Sequence, residues 1–190
     1  ATLVIFGASG DLTSRFLMPA IMRLYEAGQL PAGFRVVGLA RDDWDTAMFR
    51  RHLEEKLRSS ARQAVLARTE YRPVDVTDPD QLAEVLGKET QPVVAYLALP
   101  PSLFTPTIET MATCRLRRGS KLVVEKPFGS GLASACDLNR LLHESFPEQD
   151  VFRLDHFLGK QTVQNILGLR FANRVFEPLW NAQHIERVEI

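Results

Sequence analysis

The chain has 190 residues, 45% of them apolar, enough for one sizeable core and too few for two domains of ordinary size. Its 23 basic and 23 acidic residues cancel, so no overall field draws nucleic acid or an anionic membrane, and an anion site has to be local. Cys114 and Cys136 fit neither a metal-ligand spacing nor a disulfide framework, which suits a reducing compartment, and both read as small buried or half-buried side chains.

The first apolar run, 2–6, leads straight into a glycine turn with no basic segment before it, so it does not read as a secretory leader. No apolar run reaches the roughly 20 residues that span a bilayer, and a cytoplasmic protein is expected. There is no initiator Met, and residues 187–190 read as the start of a strand, so a piece of a longer protein is the simplest account of both ends.

Short β-branched runs alternate with longer stretches of helical period, the pattern of a parallel sheet with crossover helices. Strands are predicted at 3–6, 35–39, 71–73, 93–97 and 121–125. After Thr13, Leu17, Ile21 and Leu24 recur at helical spacing, and Gly28 ends that helix. Residues 46–69 carry Phe49, Leu53, Leu57, Ala61 and Leu66 among charges, which predicts one long or two short amphipathic helices. Asp78-Pro79 opens a short helix to Gly87, and 102–117 and 132–146 give two more. The register breaks at 146–150, and a further apolar strand, 151–154, follows. We place the edge of the sheet there and divide the chain into domains 1–150 and 151–190. A helix at 161–169 and an aromatic-rich connector then lead towards a second domain.

Five stretches carry chemistry. Between the first strand and its helix, residues 7–13 read GASGDLT. Glycines there let the chain turn sharply and bring backbone N–H groups against a pyrophosphate at the helix start. Two glycines three apart are also the mark of an ordinary tight turn; the position after the first strand favours the dinucleotide. At the end of the second strand stands Arg41, whose planar fork suits the 2'-phosphate of NADP. Asp42 and Asp43 follow at once, and either can contact the 2'-hydroxyl of NAD instead. Residues 96–102 read YLALPPS, and two prolines force the chain out of the sheet at its carboxyl edge, where open α/β folds bind ligands. Residues 125–129 read EKPFG, which points Lys126 from a strand end into the same cleft or into solvent. The Lys126–Pro127 bond is open to either isomer.

A fifth stretch, 153–165, sets His156 and Lys160 four apart between Asp155 and Gly159, ahead of a helix. A ring nitrogen and an ammonium beside the helix's positive end make a phosphate site, or else a capped surface turn.

Taken together, GASGDL (7–12), AR (40–41), YLALPP (96–101), EKPFG (125–129), RLDHFLGK (153–160), LRFAN (169–173) and FEPLWN (176–181) resemble the glucose-6-phosphate dehydrogenase family over almost the whole chain. The resemblance implies a doubly wound, mostly parallel α/β sheet of the Rossmann type, with the start of a second α+β domain at the C-terminal end. It implies NADP as cofactor, glucose 6-phosphate as substrate, and oxidation at carbon 1 to 6-phosphogluconolactone, the first step of the pentose phosphate pathway. Neither nucleic acid nor a membrane is an expected partner, and the full-length protein is expected to be a homo-oligomer through its second domain. Gly7, Ala8, Ser9, Gly10, Asp11 and Leu12 then resemble the coenzyme loop, Pro100 its wall, and Arg41 the reader of the 2'-phosphate. Lys126 resembles the lysine that bridges coenzyme and sugar, and Pro127 a proline that is cis in the family. His156 and Lys160 resemble the grip on the sugar phosphate, and Asp155 the carboxylate that orients the catalytic histidine.

That histidine, the family's general base, falls farther along the chain than residue 190, and His184 does not match its motif. Two departures concern the sugar: Phe16 stands where the family has a lysine, leaving Arg15 as the cation there, and Phe157 replaces a tyrosine. A sugar oxidoreductase of the glucose-fructose oxidoreductase type shares the EKP strand end, but DHFLGK and FEPLWN argue against it. A non-catalytic nucleotide-binding module is the reading from another class, and it predicts binding without turnover.

Overall fold

The computed structural model describes residues 1–114 and 116–189. Six strands, β1 (Thr2–Phe6), β2 (Arg35–Ala40), β3 (Thr69–Pro73), β4 (Val93–Leu97), β5 (Lys121–Glu125) and β6 (Val151–Leu154), form one sheet in the order β3-β2-β1-β4-β5-β6. Every neighbouring pair is parallel. The chain winds outward from β1 to one edge, returns, and winds from β4 to the other, the doubly wound Rossmann arrangement. Its direction reverses between β1 and β4, which opens a crevice at their carboxyl ends.

The strands are near-continuous apolar runs because helices cover both faces. On one face α1 (Met18–Glu26), α2 (Thr46–Lys56) and α3 (Arg62–Ala67) bury Met18, Ile21, Met22, Phe49, Leu53 and Val65 against Ile5, Val36 and Tyr71. On the other, α4 (Pro79–Gly87), α5 (Phe104–Thr113) and α6 (Leu132–Ser145) bury Leu82, Ile108, Met111, Leu138 and Leu142 against Val4, Phe6, Leu39, Ala95 and Val124. Two aspartates start their helices as N-caps: Asp45 accepts the Met48 N–H at 2.7 Å, and Asp78 accepts those of Asp80 and Gln81 at 3.0 and 3.1 Å.

Residues 46–69 hold two helices, one of the two arrangements expected, because the chain leaves helical geometry at Leu57, which lies in extended conformation. Other expectations change. β3 begins at Thr69, before the strand start expected at 71. The first helix opens as a π-helical turn, Thr13–Leu17, and its core face is Met18, Ile21 and Met22, while Leu24 is 41% exposed. The helix predicted at 102–117 is a 3-10 turn, Pro101–Leu103, followed by α5, and it stops when Cys114 turns extended; Arg115 in that span lies outside the described residues. Cys114 is buried, but Cys136 is exposed on α6.

The first compact unit runs Ala1–Leu154 and the second Asp155–Ile190. A division after residue 150 would cut β6 from β5, with which it pairs from Leu122↔Val151 to Glu125↔Leu154. The second unit contains α7 (Gln161–Phe171) and a 3-10 turn, Glu177–Leu179, neither with a buried residue. Residues 187–189 form no strand, and Ile190, the last residue of the strand expected there, lies outside the described residues. Among the described residues no helix is long and apolar enough to cross a membrane.

Candidate functional site

The β1 carboxyl end is built by close backbone approach. Gly7 has φ +81°, and its N–H and that of Ala8 both donate to the Leu39 carbonyl, at 2.7 and 3.0 Å. A Cβ on Gly7 would lie 2.4 Å from the Ala98 carbonyl oxygen, so this position needs glycine for conformation and for space. Gly38 on β2 has a different reason: a Cβ there would meet the Ala8 methyl at 2.8 Å and the Phe49 ring at 3.1 Å. The loop then folds on itself, Gly10 N–H to Gly7 carbonyl at 3.1 Å, and Ser14 N–H bonds back to the Gly10 carbonyl at 3.5 Å. The N–H groups of residues 11–13 therefore stand at the open, positive end of the helix, where no preceding turn offers acceptors.

Beside this loop lies a cleft of about 220 Å³. Gly7 and Ser9 form one wall, and Ala40, Arg41 and Asp42 form another. Val74 and Val76, just past β3, supply an apolar surface, and Leu99, Pro100 and Leu103 close the side formed after β4. The geometry follows from strand order: Val74 N–H bonds to the Ala40 carbonyl at 2.8 Å, which sets the end of β3 beside Arg41. The residue set suits a dinucleotide. Arg41 has no hydrogen-bond or ion-pair partner among the described residues, the valines and Leu103 offer apolar contact to a base, and the loop offers backbone donors to a pyrophosphate.

Of the residues named from sequence, Gly7, Ser9, Arg41 and Pro100 line this one cleft. Ala8 is 1% exposed and belongs to the core beneath it. Gly10 and Asp11 are exposed, and Leu12 is the half-buried residue that leads into the π-helical turn. Asp11 stands 3.9 Å from Arg15 and 3.6 Å from Lys56, which also reaches the Ser14 hydroxyl at 3.4 Å. Arg15 is thus not the only cation at this helix start; Lys56 arrives from α2.

At the end of β5, Lys126 is exposed, its N–H donates to the Leu154 carbonyl at 3.3 Å, and the Lys126–Pro127 bond is cis. Beneath it the Tyr96 hydroxyl donates to the Glu125 carboxylate, each residue being 8% exposed. Burial first, then this bond, pushes the Tyr96 hydroxyl far up from its ordinary value, so it stays a donor. Sequence reasoning missed this pair, the cleft valines and Leu103. The signal was there in the strand order, since Tyr96 pairs with Val123, two residues before Glu125 on the same face.

Asp155, His156 and Lys160 belong to the second unit. They lie on a tight turn in which Asp155 Oδ1 accepts the Phe157 N–H at 2.9 Å and the Asp155 carbonyl accepts the Leu158 N–H at 3.1 Å. Lys160, not Gly159, is the N-cap of α7, and its ammonium lies 4.4 Å from the Phe157 ring centre. His156 and Lys160 are exposed, and Asp155 is half-buried.

Comparison with known proteins gives this geometry a family. Residues 4–165 match the model described as glucose-6-phosphate dehydrogenase, NAD binding domain. Glucose-6-phosphate 1-dehydrogenase 2 of Mycobacterium tuberculosis is 42% identical over 99% of this chain, and glucose-6-phosphate 1-dehydrogenase of Bacillus subtilis is 40% identical over 100% of it. The chain spans 41% and 42% of those two relatives. It superposes over 96% of its length on a glucose-6-phosphate dehydrogenase solved with glucose 6-phosphate, with TM-score 0.84 and 30% identity, covering 42% of that chain. The Mycobacterium avium glucose-6-phosphate 1-dehydrogenase gives 0.81 and 35%, with the same two coverages. Sequence and backbone agree along nearly the whole chain, and it belongs to the glucose-6-phosphate dehydrogenase family, matching the family's dinucleotide-binding part.

Proposed function

We propose that this chain is the coenzyme-binding part of an enzyme that oxidises β-D-glucose 6-phosphate at carbon 1 with NADP, giving 6-phosphogluconolactone at the start of the pentose phosphate pathway. The observation that carries this reading is the cleft in which Arg41 faces the loop of Gly7 and Ser9. When bound, the coenzyme supplies the hydride acceptor. The chain's own residues bind and orient.

The loop of Gly7, Ala8, Ser9, Gly10, Asp11 and Leu12 presents N–H groups to the pyrophosphate, and Arg41 forks the 2'-phosphate. Pro100 walls the cleft, and Lys126, aimed by Pro127, bridges coenzyme and sugar. His156 and Lys160 grip the sugar phosphate, far from the reacting carbon, so that remote binding energy orients the ring. Asp155 orients a histidine base that lies beyond residue 190 in the family. Such a base contributes about a hundredfold to ten-thousandfold, and positioning supplies much of the rest. Residues 151–190 thus carry the substrate-phosphate motif and a connector, and a homo-oligomer forms through a second domain in the cytoplasm.

The 190-residue chain by itself binds NADP without turnover. Incubating it with NADP and glucose 6-phosphate tests this: no NADPH absorbance should develop. Measurable reduction would overturn the assignment of the base and move that role to His156 or His184.

A further inference from the structure

The turn that follows the glycine loop brings little positive charge of its own. Thr13, Ser14, Phe16 and Leu17 are uncharged, Asp11 is negative, and Arg15 lies 3.9 Å from Asp11 within the same turn. A carboxylate at the helix start repels the pyrophosphate that the loop's N–H groups attract. The fold answers with a cation from another element. Lys56, the last residue of α2, sets its ammonium 3.6 Å from the Asp11 carboxylate and 3.4 Å from the Ser14 hydroxyl.

Ser14 is the buried member of this group, at 2% exposed. Its hydroxyl accepts from Lys56 and donates to the Asp11 carbonyl at 3.3 Å, while its N–H bonds to the Gly10 carbonyl at 3.5 Å. One ammonium therefore meets Asp11 twice, at the side chain directly and at the main chain through Ser14. The end of α2 that carries it is seated in the core by Leu53 and Leu57, both buried. The Lys56 side chain is 37% exposed against 68% for Arg15, so solvent and salt screen it less.

We propose that Lys56 is a positioning residue for the coenzyme: it offsets the Asp11 charge and ties down the helix start, so that the loop presents its N–H groups to the pyrophosphate. The proposal rests on the reading of this cleft as the coenzyme site. Lys56 acts through Asp11, and that dependence separates it from a lysine that touches the coenzyme.

The test is calorimetric titration with NADP at one ionic strength, for the unaltered chain, Lys56→Met, Asp11→Asn, the double variant and Arg41→Ala. Lys56→Met keeps an unbranched side chain on α2 and removes the charge. It lowers NADP affinity by about threefold to fivefold, the span of one solvent-exposed ion pair, at unchanged stoichiometry. In the Asp11→Asn background the same substitution changes affinity by less than about twofold, since no carboxylate is left to offset. A smaller loss than about threefold for Lys56→Met, or one that comes with fallen stoichiometry and so reports lost folded chain, overturns the proposal. An equal loss in both backgrounds overturns it too, because Lys56 then meets the coenzyme itself. These outcomes leave the cleft reading intact. If the unaltered chain does not bind NADP, or if Arg41→Ala leaves its affinity unchanged, the cleft reading falls and takes the proposal with it.

Discussion

Replacing Gly7 with alanine probes the tightest feature of the site. At φ +81° an added Cβ costs about 1–2 kcal/mol from conformation alone. It would also lie 2.4 Å from the Ala98 carbonyl oxygen and 3.0 Å from a Leu99 methyl. Ala98 is tied to β1 by its N–H bond to the Phe6 carbonyl at 2.9 Å, so backbone has to move, not a flexible side chain. Two other glycines separate the effects. Gly28 has φ +65° with nothing within 4 Å of a Cβ, and a Gly10 Cβ would meet only the Gly7 carbonyl, at 3.2 Å, with no positive φ. We expect about 1 kcal/mol for Gly28→Ala, no more for Gly10→Ala, and about 3 kcal/mol or above for Gly7→Ala, since overpacking adds to strain. Urea unfolding followed by circular dichroism measures all three, provided the slopes agree. A Gly7→Ala change no costlier than Gly28→Ala would refute the claim that the β1–β4 approach demands glycine.

Tyr96→Phe takes the hydroxyl donor from a carboxylate that is 8% exposed, and should cost about 1–3 kcal/mol in the same unfolding assay; a neutral result would mean that the Glu125 charge does not depend on Tyr96. Burial first, then Asp42 and Asp43, pushes the Tyr71 hydroxyl up to about 12. The unfolded chain, with a tyrosine value of about 10, releases its proton first as pH rises. Stability from Tyr71 is therefore intact below about pH 10 and is lost as pH climbs towards 12, and Tyr71→Phe should flatten that fall in urea midpoints.

The sheet was legible because its signal is local. Runs such as 93–97 and 121–125 are apolar on both faces and bounded by Pro and Gly, and they form strands at those positions. The glycine turn after β1 was legible for the same reason, being read within a few residues, and Arg41 lines the same cleft as Gly7 and Ser9. What escaped depends on neighbours distant in sequence. Tyr96 and Glu125 are 29 residues apart and meet only through the β4–β5 register. Lys56 reaches Ser14 across 42 residues, from a helix whose side of the sheet no period reveals. Leu24 fits the helical spacing of α1 yet lies 41% exposed, because the π-helical turn rotates the following residues and puts Met18 and Met22 inwards. Asp42 and Asp43 are equivalent as letters and both exposed, and what sets Asp42 apart is its place in the cleft lining and the Tyr71 and Trp44 bonds to its backbone carbonyl.

The central claim is that the coenzyme lies in the cleft between the glycine loop and Arg41, and NADP titration of the isotope-labelled chain followed by amide NMR tests it most directly. The account predicts saturable shifts at Gly7, Ser9, Arg41, Asp42, Val74 and Leu103, and their loss for Arg41→Ala at the same NADP concentration. Shifts centred instead on the separate cavity lined by Phe128, Cys136, Leu142 and Arg153, or an Arg41→Ala titration that overlays the original, would contradict it.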